Sequence, residues 1–281
     1  MNPHRVSIVY HSGAGGTKLT AELLGELLSA ECDVRVHGIF DADATAAIDT
    51  SEFLVLCFPT YYLKPSRSMA EFIDSLPYFE AGRSAYIVAT AELYTENCIR
   101  TCARALKRKG IVTVGSAVIR APGTDITCVV PARFCRRLYR FEKTFPQKLF
   151  STAGEISSLA RADAPRERIP FLKWYTPFSQ LLQILFLNGF DRWKERMRVI
   201  TERCNGCGLC VRECGRSAWE RDGDRVRHVS GRCELCTGCI HRCPRKALVL
   251  LDALKDNPRL DRALYARLKA EAREALVPDR T

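Results

Sequence analysis

Cys204-Asn205-Gly206-Cys207-Gly208-Leu209-Cys210-Val211-Arg212-Glu213-Cys214 decides the fold of the last third of this chain, because its spacing returns in Cys233-Glu234-Leu235-Cys236-Thr237-Gly238-Cys239-Ile240-His241-Arg242-Cys243-Pro244. Each copy separates its cysteines by two, two and three residues. Three cysteines at the closer spacing wrap one tight loop around three corners of a cubane, while the fourth lies too far round for that loop and serves the neighbouring site. The spacing therefore predicts two 4Fe-4S clusters, one held by Cys204, Cys207, Cys210 and Cys243, the other by Cys233, Cys236, Cys239 and Cys214. Paired zinc sites are the alternative, but tetrahedral zinc takes four ligands, usually as two pairs, and has no use for triplets with a fourth cysteine at fixed offset. Gly206, Gly208 and Gly238 are expected to let backbone approach the sulfides closely.

Outward from the two runs, the other six of the 14 cysteines are scattered at Cys32, Cys57, Cys98, Cys102, Cys128 and Cys135, as buried structural thiols would be. The only early apolar run, Val6 to Tyr10, is too brief for a secretory signal, so the expectation is a cytoplasmic protein whose cysteines serve metal rather than disulfides. Leu181 to Leu187 is far too short to span a membrane. A composition of 47% hydrophobic and 27% charged residues over 281 residues suits two folded domains. The formal charge of +11 suggests an anionic partner, although two clusters and a flavin phosphate would reduce it to about +5.

Before residue 120, β-branched runs alternate with helical periodicity. Arg5–Tyr10, Asp33–Gly38, Glu52–Phe58, Ser84–Thr90 and Ile111–Ile119 read as strands; Thr17–Ala30, Ser66–Leu76 and Thr95–Lys109 read as helices, with a further helix between about Pro131 and Ala162. The pattern is βαβ, hence an α/β fold with a doubly wound parallel sheet. The first strand runs into Ser12-Gly13-Ala14-Gly15-Gly16-Thr17, a glycine-rich turn at a helix start whose backbone N–H groups can cradle phosphate. Pro59-Thr60-Tyr61-Tyr62 and Ala91-Glu92-Leu93-Tyr94 follow the third and fourth strands, and in a sheet of order 2-1-3-4-5 all three loops meet at the switch point.

With these loops residues 5 to 160 resemble the flavodoxins, and Cys204 to Leu251 resemble bacterial two-cluster ferredoxins; the whole is similar to flavodoxin/ferredoxin fusion proteins. The resemblance implies FMN on the three loops, with Tyr61 or Tyr62 stacked on the ring, and a flavin that mediates between electron pairs and one-electron clusters. Ala14 and Gly16 replace the threonine and asparagine common in flavodoxins, and Gly215 replaces the proline that usually follows the fourth ferredoxin cysteine, which implies a looser exit from the second cluster.

The resulting division is residues 1–162 flavodoxin-like, 163–201 an aromatic and basic connector, 202–252 ferredoxin-type, and 253–281 a surface helix docked by Leu260, Leu264, Leu268 and Leu276. Phe171, Trp174, Tyr175, Phe178, Phe186, Phe190 and Trp193 are expected to pack across the domain seam rather than lie on a membrane. Arg192 to Arg216 carry no nucleic-acid motif and suit an acidic redox partner. The leading expectation is electron relay between FMN and two clusters; the alternatives are an FMN-dependent reductase of a quinone or other small acceptor, a ferredoxin-type carrier without flavin, and a binding protein with structural metal.

Overall fold

The computed structural model of the chain describes residues 4–80, 83–92, 95, 97–162, 166–171, 176–182 and 191–276. Strands β1 (Arg5–Tyr10), β2 (Asp33–Gly38), β3 (Phe53–Tyr61), β5 (Arg83–Ala91) and β6 (Ile111–Arg120) form a sheet of order β2-β1-β3-β5-β6, every neighbour parallel. The two-residue β4 (Lys64–Pro65) folds back on the end of β3. Without β4 this is the expected 2-1-3-4-5 order.

The sequence of β3 explains why it lies at the centre. All of Phe53 to Phe58 is buried, so both faces of the strand are covered, as a parallel sheet between helices requires. Alternate residues then serve alternate faces. Val55 and Cys57 join Ile8 and Val88 beneath the helices Gly16–Leu28 and Phe145–Ala160, whereas Leu54, Leu56 and Phe58 join Val9, Ile87 and the helices Arg67–Ser75 and Cys98–Lys107. Each such Leu, Ile or Phe contributes about 1.5–3 kcal/mol by leaving water. The expected helix from Pro131 to Ala162 is broken: Ala132–Cys135 and Arg136–Tyr139 make short turns before Phe145–Ala160. Pro146 stands in the first turn of that last helix, where its missing N–H costs nothing.

In the cysteine-rich half, Trp219–Asp222 and Arg225–His228 form an antiparallel hairpin, with Gly223 in the left-handed region at φ 57°. Leu248–Val249 pairs antiparallel with Arg198–Val199, so residues 198–199 belong with the cysteine-rich half. A third core, built on Trp219, Leu235, Ile240 and Leu248, also takes in Cys128 and Tyr62 from the N-terminal half. The helix Arg262–Leu276 lies on the N-terminal half, where Leu268 and Ala272 pack on the first core and Lys269 and Arg273 pair with Glu22 and Glu26. Of the connector aromatics, Phe171 and Phe178 are exposed rather than packed in a seam, Trp193 packs on the third core, and Trp174, Tyr175, Phe186 and Phe190 lie outside the described residues. A helix in this connector runs from Thr176 to Leu182. Among the described residues no helix is long and apolar enough to cross a membrane.

Candidate metal centre

All eight cysteines of the two runs line one cavity of about 100 Å3. Burial pushes the Cys210 thiol up to about 11, and the nearby Cys243 and Cys204 thiols push the same way; Cys233 is likewise raised to about 11 by burial, with Cys214 among the thiols acting on it and on Cys239. The two fourth cysteines are held alike, Cys214 Sγ accepting from Ala218 N–H at 3.4 Å and Cys243 Sγ from Ala247 N–H at 3.3 Å. Thiols raised by burial ionise readily only with positive charge beside them, which is what iron supplies. Eight thiols around one cavity are a donor set suited to 4Fe-4S binding.

The loops differ in how they turn. Gly206 and Gly208 take φ 66° and 68° in the first, where glycine alone is unstrained, but Leu235 and Thr237 carry the corresponding positive φ of 55° in the second. Gly238 serves a different purpose from the one expected. A Cβ there would overlap the Gly13 carbonyl oxygen, so its closest approach is to the N-terminal half. Gly215 has a similar reason. A Cβ there would meet the Phe40 ring, with Cζ at 2.7 Å, so the glycine admits a side chain from the other domain. Exposure also separates the loops, because Cys207 is exposed while Cys233 is buried.

Between Cys233 and Cys236, Glu234 points into the N-terminal half. Its Oε2 accepts from both the N–H and the hydroxyl of Ser68 at 3.0 Å, and His11 Nε2 lies 3.1 Å from Oε1. Burial pushes this carboxyl up, yet His11 and Ser68 outweigh it and hold Glu234 below the usual carboxylate range. His11 Nδ1 is 2.8 Å from Ser66 Oγ, so the ring is fixed on both sides. His241 joins three segments, with Nε2 2.7 Å from the Thr124 carbonyl and Nδ1 accepting from Leu260 N–H; burial lowers it to about 4, so the ring is neutral.

The loops expected to hold FMN do converge. Ser12, Gly13, Ala14, Gly16 and Thr17, with Pro59, Thr60, Tyr61, Ala91 and Glu92, line one cavity near Asp125, whereas Tyr62 packs on the third core and Leu93 and Tyr94 lie outside the described residues. The cavity is narrow, about 40 Å3. Its surroundings explain this. A Cβ on Gly13 would stand 2.8 Å from Cys236 Cβ, and one on Gly15 would stand 2.8 Å from the Tyr265 ring. The Gly16 N–H acts on the Tyr265 phenol, which burial pushes up, so this hydroxyl faces the helix terminus that a phosphate would use. As arranged, the Tyr265 ring and Cys236 lie against the glycine-rich loop, in the space a flavin phosphate would need.

The 4Fe-4S binding domain family matches residues 197–220. That match, together with the sheet order, decides the architecture. The chain joins a flavodoxin-like domain to a ferredoxin-type 4Fe-4S binding segment. Electron transfer is the role this fusion supports. Among solved structures, the N-terminal half of the fusion is similar to a flavodoxin from the domain Archaea, at 19% identity and TM-score 0.37, over 54% of this chain and 98% of that one. Flavodoxin 1 from Bacillus cereus is similar at 13% identity and TM-score 0.42, over 55% and 97%, and a WrbA-like flavodoxin from Agrobacterium tumefaciens at 18% and 0.41, over 56% and 98%. No curated protein matches the chain.

Sequence reasoning missed Glu234, Ser68 and Tyr265, and the burial of His11 beside Glu234. Glu234 carried a faint signal, an acid between two ligand cysteines where negative charge is unfavourable. Its partner His11 lies 223 residues earlier, and no local pattern connects them.

Proposed function

We propose that this chain is a two-cluster iron–sulfur electron carrier in which the flavodoxin-like half serves as a wall for the second cluster site. The observation that carries the reading is the single cavity lined by all eight cysteines, with Cys243 beside Cys210 and Cys214 beside Cys233 and Cys239. Cys204, Cys207, Cys210 and Cys243 would hold one 4Fe-4S cluster, and Cys233, Cys236, Cys239 and Cys214 the other. Bound clusters of this kind supply one-electron oxidation and reduction.

The chain's own residues set the conditions for that chemistry. The N–H groups of Ala218, Ala247 and Leu235 point at ligand sulfurs and offset negative charge there. Trp219, Leu235, Ile240 and Leu248 keep water from the interior of the site. The surface excess of arginine suits a redox partner with an acidic face. Arg259 is buried and touched by the charge of Cys243, so it places a further positive group beside the first ligand set.

Relay through FMN is a second reading, and it requires Tyr265 and the Cys236–Gly238 backbone to leave the glycine-rich loop first. Reduction of a quinone through that flavin carries the same requirement. Anaerobic purification followed by iron, acid-labile sulfide and flavin assays tests the choice. About eight iron and eight sulfide per chain with no flavin is the expected result; stoichiometric zinc without sulfide would overturn the carrier, and stoichiometric FMN would favour the relay.

A further inference from the structure

Arg212 and Arg221 converge over the first cysteine loop. Arg212 Nη1 donates to the Cys207 carbonyl at 2.8 Å and Arg221 Nη1 donates to the Gly206 carbonyl at 3.1 Å. Both guanidiniums reach the same spot, since a Cβ on Gly208 would lie 3.4 Å from Arg212 Nη1 and 3.0 Å from Arg221 Cζ. Neither pairs with a carboxylate among the described residues, although most arginines on this half do, including Arg216, Arg227, Arg232 and Arg262. Two like charges brought together over one point repel each other unless an anion joins them. Here only backbone carbonyls hold them.

The second cysteine loop lies against the flavodoxin-like half. Cys233 and Glu234 are buried, the Gly238 backbone abuts Gly13, and His11, Ser66 and Ser68 close the side toward the flavodoxin-like half. Cys207, by contrast, is exposed beneath the two arginines. Cys207 thus faces solvent beneath two arginines that have no carboxylate partner among the described residues, whereas Cys233 is buried.

We infer that the Cys207 face, with Arg212 and Arg221, is the electron port of this protein and docks an electron-transfer protein that presents a cluster of carboxylates. The inference rests on the carrier reading above. Charge on such a face acts mainly by steering encounter, so it falls away with salt, and the geometry of the docked pair is set by the arginines' fixed forks. A carboxylate bridging the two guanidiniums would relieve their repulsion and bring the partner's surface onto the Cys207 loop, where the path to the ligand sulfur is shortest.

Power saturation of the reduced holoprotein's EPR signal, with anionic dysprosium–EDTA and a neutral dysprosium chelate as relaxing probes, tests the inference without relying on turnover. At low salt the anionic probe should relax the signal about fivefold more effectively than the neutral one, and a short polyglutamate peptide should suppress that advantage. The Arg212→Glu/Arg221→Glu double variant should lose the advantage, while Arg104→Glu/Arg108→Glu on the flavodoxin-like half should keep it. Equal relaxation by both probes, or an advantage that survives the Arg212/Arg221 change, overturns the port. Failure of polyglutamate to compete overturns the protein partner and leaves a small anion at the site. Absence of any iron–sulfur signal would be a failure of the carrier reading itself, recognisable from the iron and sulfide content before any probe is added.

Discussion

His11 Nε2 lies 3.1 Å from Glu234 Oε1, and both side chains are buried. The pair connects the first strand's loop to the second cysteine loop, with Ser66 and Ser68 completing its polar shell. A buried charge with such partners is costly to expose one-sidedly, because the remaining group keeps its desolvation without its compensation.

Glu234→Ala should therefore destabilise the protein by about 3 kcal/mol, chiefly at the seam. Chemical denaturation gives the total, and hydrogen exchange at Ser68 and Met69 locates it. Unchanged exchange there would show that the pair does not hold the domains together.

Cys243→Ala should remove iron from the site formed by Cys204, Cys207 and Cys210, although Cys243 belongs to the second run. Its neighbour in the fold is Cys210. Iron analysis with EPR of the reduced variant distinguishes the two sites, and selective loss of the other cluster would reverse the pairing.

FMN should give no saturable fluorescence quenching with the wild-type protein whose clusters are intact, since Tyr265 and Cys236 occupy the space around the glycine-rich loop. One-to-one quenching would show that the loop opens. Gly15→Val should instead act on stability, by about 1–3 kcal/mol, because Gly15 has φ 131° and its Cβ would meet the Tyr265 ring. Increased protease sensitivity of the Arg262–Leu276 helix would be its direct sign.

Glu92 gives a pH dependence of defined sign. Burial, aided by Asp125, raises its carboxyl to about 7 from an unfolded value of about 4.5. The folded state thus binds the proton more tightly, and the stability associated with it is complete below pH 4.5 and lost as pH rises through 7. Because the side chain is only half-buried, screening reduces the loss to about 1 kcal/mol. Glu92→Gln should accordingly stabilise the protein by about that amount at pH 8 and have little effect at pH 5. Equal effects at both pH values, read from denaturant midpoints, would assign the change to packing instead.

Much of this fold could be read locally. Val55 and Leu56 sit within an apolar run that only a doubly covered strand accommodates, and the alternation of such runs with helical periodicity leaves few topologies other than the one observed. The broken helix after Pro131 was less legible, because Arg136 to Tyr139 keep helical propensity while their tertiary setting turns the chain. Gly215 was visible as a departure, but its reason, the Phe40 ring, is contributed from 175 residues away.

By itself the sequence determined the cysteine spacing and the alternation of strands with helices, since both arise from residues a few positions apart, whereas the pairing of β1 with β3 joins residues as far apart as Val6 and Phe53. What covers the glycine-rich loop was decided only by the tertiary structure. Tyr265 and Cys236 reach Gly15 and Gly13 across more than two hundred residues, and such a meeting depends on how two finished domains pack. A loop built of exposed N–H groups attracts any group that can lie close to a helix terminus, and in this chain the nearest such group is its own tyrosine.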